Sequence, residues 1–280
     1  MDFVEKLKTS ADANQSIVCM GMDPVVEKIP IEGKPESVIV KFFSDILEGM
    51  ITEDILPGMV KPNYAFYAQY GFAGLRALKK VIEIYKKNKL LVLLDAKRGD
   101  IGKTSAAYAK ESFNFWNADA VTVAPYMGSD SVGPFIEYCN KGYGVYVLNR
   151  TSNKGAVDIQ DLNCDGKPIY MKTAERLVEW HKPGTGVVVG ATYPKELEEI
   201  SSFFMNSGKE IPFLIPGVGS QGGSASEVVE ALKKTGNDLP KHRINSSSGI
   251  LYAYRKKDTS DFVGAALEEI KNLNKEIGLK

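Results

Sequence analysis

Leu90-Leu91-Val92-Leu93-Leu94-Asp95-Ala96-Lys97-Arg98-Gly99-Asp100 is an apolar run that ends abruptly in charge. Apolar at every position, Leu90 to Leu94 predicts a strand buried on both faces, as in a parallel sheet covered by helices. Side chains alternate along a strand, so Asp95 and Lys97 should project to the same side. Asp100 follows where the strand should give way to a loop. A carboxylate, an ammonium and a second carboxylate thus gather at the carboxyl end of a buried strand, where α/β proteins place their chemistry. Solvated charged turns do not usually begin so sharply on a core strand.

The pattern repeats on either side of this stretch. After a short amino-terminal helix, Ile17 to Asp23 predicts a strand that also ends in a carboxylate, and Met59 to Asn63 a short one that ends in a charge. Pro62 holds Lys61 extended and cannot donate to a ladder, which sets that strand's end. Ala120–Ala124, Gly144–Asn149, Gly186–Ala191, Phe213–Ile215 and a segment from Arg243 follow as strands. Between them lie helical patterns: Pro35–Met50, a long one through Phe72, Leu75, Leu78, Ile82 and Tyr85, then Lys103–Trp116, Ser131–Cys139, Pro168–Trp180 and Pro194–Phe204. Ser224 and Glu227 have capping-box spacing for a helix through Leu232, and Thr259–Leu273 closes the chain. The stretch Asp158 to Asp165 reads as a solvated excursion. Strict βα alternation implies a parallel sheet, and eight units closing on themselves make a (β/α)8 TIM barrel. No linker-like break interrupts the pitch, so residues 1–280 read as one domain. A doubly wound open sheet is the alternative, but Gly21-Met22-Asp23-Pro24 is not its G-x-G-x-x-G signature.

Composition narrows the function. The 35 basic and 35 acidic residues cancel, which does not suit a nucleic-acid or membrane-surface binder. Met1 to Lys6 lacks the apolar segment of a signal peptide, and no run of about 18 apolar residues could span a bilayer. Cys19, Cys139 and Cys164 are odd in number and far apart, as expected of a reducing, cytoplasmic compartment. The two histidines, His181 and His242, each precede a predicted strand and so belong at the end of the barrel opposite Lys97. A Ser-His-Asp triad and a His-ligated zinc are thereby disfavoured.

Collecting the strand ends brings together Asp23, Lys61, Asp95, Lys97, Asp100, Thr151, Ser152, Asn153, Gln221 and Ser246 to Ser248. The glycine-rich Gly217–Gly223 loop enters a helix after the seventh strand, where barrels commonly bind phosphate through amides and the helix's positive end. A lysine among carboxylates should remain an ammonium, because opposite charge favours the ionised form. Such an ammonium can stabilise carbanion charge and then protonate the carbon. Schiff-base chemistry needs a lysine in an apolar pocket instead.

Asp95-Ala96-Lys97-Arg98-Gly99-Asp100-Ile101-Gly102-x-Thr104 resembles the signature of the orotidine 5′-phosphate decarboxylase family, in its divergent branch with the longer Asp-Ala-Lys-Arg-Gly-Asp motif. Gly21-Met22-Asp23-Pro24, Val60-Lys61-Pro62-Asn63, Arg150-Thr151-Ser152-Asn153 and Pro216-Gly217-Val218-Gly219-x-Gln221-Gly222-Gly223 resemble further family segments, in the family's order. The resemblance implies a carboxy-lyase that converts orotidine 5′-phosphate (OMP) to uridine 5′-phosphate (UMP) without cofactor or metal, in pyrimidine biosynthesis. It implies Lys97 as proton donor, with Lys61, Asp95 and Asp100 completing a charged tetrad. Asp23, Lys61 and Asn63 would hold the ribose, Thr151 and Ser152 would face the pyrimidine and Gln221 the phosphate, with Pro216, Ser247 and Ser248 also binding substrate. It also implies a homodimer in which Asp100, Ile101 and Thr104 reach the neighbouring site.

One position departs from the pattern. Where the family usually has an arginine, this chain has Ser248, within Ser246-Ser247-Ser248-Gly249. A serine cannot reproduce the bidentate grip of an arginine on phosphate. That departure keeps an inactive nucleotide-binding barrel open as an alternative, and the D-x-K-x-x-D motif, shared across the suprafamily, keeps open a metal-dependent sugar-phosphate decarboxylase or synthase.

Overall fold

Eight parallel strands alternate with helices in the computed structural model, which describes residues 1–219 and 222–279. They are β1 (Val18–Met22), β2 (Met59–Pro62), β3 (Leu93–Arg98), β4 (Ala120–Val123), β5 (Gly144–Arg150), β6 (Thr185–Val189), β7 (Phe213–Pro216) and β8 (Arg243–Ser246). Hydrogen bonding runs in the order β2-β1-β8-β7-β6-β5-β4-β3. Two further parallel bridges, Val60 to Val92 and Asn63 to Asp95, join β2 to β3 and bring the barrel round on itself.

Burial follows from that closure. Inside the barrel Cys19, Met59, Leu93, Ala120, Tyr146, Val188 and Leu214 pack together. Outside it, a second cluster running from Ala11 to Ile277 lies between the strands and the helices. In β3, for example, Leu93 belongs to the inner cluster and Leu94 to the outer. Both strand faces are therefore apolar, which is why the opening run has no polar alternation.

The amino-terminal helix Phe3–Asn14 does more than precede the barrel. Its Phe3 and Leu7 belong to the inner cluster and plug the end of the barrel opposite the strand carboxyl termini. Phe3 meets Tyr146 edge to face at 6.0 Å, and Arg243, fully buried, donates to the Leu7 carbonyl at 2.7 Å. Burial lowers the Arg243 pKa to about 10.

Most predicted elements are present, with shifted ends. The third strand continues past Leu94 through its charged residues to Arg98. The helix after it spans Gly102–Lys110 and widens into a π-turn at Glu111–Phe115. The closing helix runs Phe262–Ile277, later than expected. The Asp158–Asp165 stretch is a correction: it is not merely solvated. Asp161 lies 3.0 Å from the buried Arg150, and Gln160 accepts the Thr151 amide hydrogen at 2.8 Å. An ion pair and a local hydrogen bond fold this loop back over the end of β5.

Candidate active site

A cavity of about 870 Å³ opens at the carboxyl ends of the strands, within the usual range for small-molecule sites. Asp95 lies at its centre. One carboxylate oxygen accepts from Lys61 Nζ at 2.9 Å, and the other accepts from Lys97 Nζ at 2.7 Å and Thr122 Oγ1 at 2.8 Å. Lys61 and Asp95 are buried, whereas half of the Lys97 side chain is accessible from the cavity mouth. Burial alone would push Lys61 down, but Asp95 and Asp23 outweigh it and hold its pKa above the ordinary lysine value. Burial alone would raise Asp95; Lys61 and Lys97 outweigh it, and the carboxyl is held well below the usual carboxylate range.

Lys97 reaches Asp95 by a route that strand alternation does not describe. Leu94 is in register with Val121 and Arg98 with Val123, so three residues of β3 bulge opposite Thr122. Lys97 sits in this bulge with φ +45°, in the left-handed region that non-glycine residues rarely adopt. Thr122 Oγ1 accepts the Lys97 amide hydrogen at 2.9 Å while donating to Asp95. One hydroxyl thus ties the bulge backbone to the carboxylate.

Other expected residues assemble around this centre. Asp23, Asn63, Thr151, Ser152, Pro216 and Ser247 line the same cavity. Two close approaches depend on glycine: a Cβ on Gly21 would lie 1.8 Å from Ser247 Oγ, and one on Gly190 2.7 Å from the Ser152 backbone. Asp100, Ile101, Thr104 and Ser248 do not line the cavity. Asp100 accepts the amide hydrogen of Ile101 at 2.8 Å, and Ile101, Thr104 and Ser248 are exposed. Gln221 lies outside the described residues.

The predicted anion cradle after β7 is built differently. Amides of Gly219, Gly222 and Gly223 donate to the loop's own carbonyls. The following helix, Ala225–Lys234, has Ser224 as its cap and the Glu276 carboxylate 3.1 Å from the Ser226 amide. A carboxylate from the closing helix therefore already occupies that positive end.

Thr122, Asn149, Asn245 and Gln160 are among the lining residues that the sequence did not point to. Thr122 had a signal, as the one hydroxyl in the apolar Ala120–Val123 strand. Asn149 and Asn245 are buried, and the carboxamide oxygen of each lacks a partner among the described residues. Gln160 comes from the loop read as solvated. Both histidines lie where expected: His181 ends the helix before β6, and His242 immediately precedes β8. Among the described residues, no group of three or more His, Cys, Asp or Glu side chains is arranged to hold a metal, and no helix is long and apolar enough to cross a membrane.

Barrel and site together define the class: a (β/α)8 barrel with a lysine–aspartate–lysine cluster at the strand ends, the face on which barrel enzymes work. Residues 52–260 match the model of the orotidine 5′-phosphate decarboxylase / HUMPS family. The chain is 42% identical over 256 residues to the orotidine 5′-phosphate decarboxylase of Herpetosiphon aurantiacus, covering 90% of each. It superposes on Leishmania donovani OMP decarboxylase with a TM-score of 0.77 and 33% identity, over 98% of this chain and 99% of that one. Leishmania donovani UMP synthase matches with a TM-score of 0.78 and 34% identity over 98% of this chain, which spans 56% of that longer protein. The chain belongs to the orotidine 5′-phosphate decarboxylase / HUMPS family.

Proposed function

We infer that this chain decarboxylates OMP to UMP, a step of pyrimidine biosynthesis. The observation that carries the reading is the Lys61–Asp95–Lys97 cluster, with one ammonium buried and the other open to the cavity. A substrate carboxylate entering beside Asp95 meets like charge, which raises the energy of the bound anion relative to departing neutral CO₂. Heterolysis leaves the bonding pair on the pyrimidine carbon. The Lys97 ammonium stabilises that charge and transfers a proton to the carbon, and solvent reprotonates the amine. Lys61 keeps Asp95 ionised and oriented throughout.

On this reading Asp23, Lys61 and Asn63 face the ribose, and Thr151 and Ser152 the base. Gln221 is assigned to the phosphate by the family resemblance, and Pro216, Ser247 and Ser248 to substrate binding. Asp100, Ile101 and Thr104 complete the site of a second copy in a homodimer, which fits the exposure of Ile101 and the absence of Asp100 from the lining of its own cavity. We read the whole chain as one domain, supported by an outer core that runs from Ala11 to Ile277, and as a cytoplasmic enzyme, supported by its unpaired cysteines.

The test is the loss of OMP absorbance in the ultraviolet, with and without a chelator. Turnover that survives chelation supports the reading. Tight nucleotide binding without turnover would favour an inactive barrel, and loss of turnover on chelation would favour the metal-dependent branch.

A further inference from the structure

The residue after Lys97 is held by an ion pair and two aromatic rings. Arg98 Nη2 lies 3.0 Å from both carboxylate oxygens of Glu111. Its guanidinium is sandwiched between the rings of Tyr64, at 4.5 Å, and Tyr108, at 4.7 Å. Glu111 also accepts from Trp116 Nε1 at 2.8 Å, and the Trp116 ring meets Tyr64 edge on at 6.1 Å. The Arg98 carbonyl accepts the Ala124 amide hydrogen at 2.7 Å, fixing the end of β3 to the end of β4.

These contacts have a common geometry. Tyr64 follows directly on β2, whereas Tyr108 and Glu111 belong to the helix that follows β3. Glu111 opens the π-turn, a local widening of the helix of the kind found at functional sites. Arg98 therefore joins the end of β3 to the segment after β2 and to the far end of the following helix, and so brackets the stretch that carries Asp100, Ile101 and Thr104. Lys97 itself has an unfavourable backbone conformation, and such a conformation persists only where its surroundings over-determine it.

We propose that Arg98, acting through Glu111 and its two tyrosines, is the positioning residue that holds the strained Lys97 backbone so that its ammonium stays on Asp95. Arginine suits this role and lysine does not: a planar guanidinium can stack between two rings while gripping a carboxylate with its edge. Arg98 does not line the cavity. Its effect is on the geometry of Lys97, so it should appear in kcat and leave ground-state binding nearly unchanged.

The kinetic test rests on the decarboxylase reading; a second readout does not. R98M, R98K and E111Q are compared with wild type for kcat and KM toward OMP, for melting temperature, and for the rate of reductive methylation at Lys97 followed by mass spectrometry. Exposed Lys41 serves as internal control. The expected result for R98M is a fall in kcat of about 10- to 100-fold with KM within about threefold. R98K should recover only part of that loss, and E111Q should lower kcat by a smaller factor. Methylation at Lys97 should speed up several-fold in R98M while Lys41 is unchanged. Should R98M not fold, E111Q decides, because it keeps the aromatic sandwich. Folded variants that turn over within twofold of wild type overturn the assignment. If wild type itself shows no turnover, the decarboxylase reading fails and the methylation rates alone judge the clamp: unchanged rates at Lys97 would overturn it.

Discussion

Lys61 and Asp95 form an ion pair 2.9 Å long, buried at the strand ends with 5% and 7% of their side chains accessible. Burial works against both charges, and each persists because of the other and of its neighbours Lys97 and Asp23. This pair supports the site as well as furnishing it. Lys97, on the other oxygen of Asp95, is half exposed, and in the proposed mechanism its part is chemistry rather than support.

Removing either member should therefore have different consequences from removing Lys97. Asp95→Ala leaves the Lys61 ammonium buried without its partner, and breaking a buried pair in this way costs about 3–5 kcal/mol. Lys97→Ala removes an exposed partner and should change stability by less than about 1 kcal/mol. Urea unfolding of the two variants checks the contrast. Equal losses would mean that Lys61 finds another anion.

The same pair sets a pH window. The Asp95 pKa is lowered in the folded chain, so its stabilisation is present above the ordinary aspartate value of about 3.9 and is lost as pH falls through the lower folded value. The Lys61 pKa is raised, so its contribution is complete below about 10.4 and is lost as pH rises through the higher folded value. Urea midpoints should thus include a contribution from this pair that is level between about pH 4 and 10 and falls away outside those limits. Asp95→Asn should flatten part of the acid limb. An unchanged acid limb in that variant would mean that other carboxylates dominate acid unfolding.

If Lys97 delivers the proton, Lys97→Ala should lower kcat by at least about 10²- to 10⁴-fold, the usual weight of a general acid. UMP affinity, measured by calorimetry, should change little, because the ribose and base contacts assigned above lie elsewhere. Substantial residual turnover would remove Lys97 from the chemistry.

What sequence could show of this site follows the range of the forces involved. Strand ends were legible because parallel strands under helices are apolar throughout, so the first charge marks the cavity face; Lys61 and Asp95 meet on that account. Asp95 and Lys97 also meet, yet alternation is the wrong reason, since a bulge no residue pattern announces turns Lys97 to φ +45°. Glu276 at the start of the helix after β7 was not legible at all. It comes from the last helix, 50 residues beyond the Ser226 amide, and only tertiary packing brings it there. Gln160 and Asp161 were hidden for a related reason: a polar loop reads as solvated until its partners, Thr151 and the buried Arg150, are known.

The occupied helix end bears on phosphate binding. No arginine is among the described residues that line the cavity, and its lysines, Lys61 and Lys97, are both engaged with Asp95. Ser248 begins the short helix Ser248–Leu251, next to cavity-lining Ser247. Ser248→Arg would place a bidentate donor on that rim. A charge-assisted contact of about 1.5–3 kcal/mol should raise kcat/KM for OMP by roughly 10- to 150-fold, mostly through KM. No change in steady-state kinetics would mean that the phosphate is held away from Ser248.

The position of Asp100 allows a test by mixing chains. Its carboxylate accepts the Ile101 amide hydrogen and does not line its own cavity, while Ile101 beside it is 52% exposed. If Asp100 serves the neighbouring subunit, a heterodimer of Lys97→Ala and Asp100→Ala chains contains one site with both residues and one with neither. Equal mixing after subunit exchange makes half of the dimers mixed, so activity should recover to roughly a quarter of wild type under two-fold symmetry. Each parent alone stays inactive, and sedimentation confirms that dimers have formed. A mixture no more active than its parents would place Asp100 in the service of its own chain, where the Gly99–Ile101 loop would have to swing inward before Asp100 could approach Lys97.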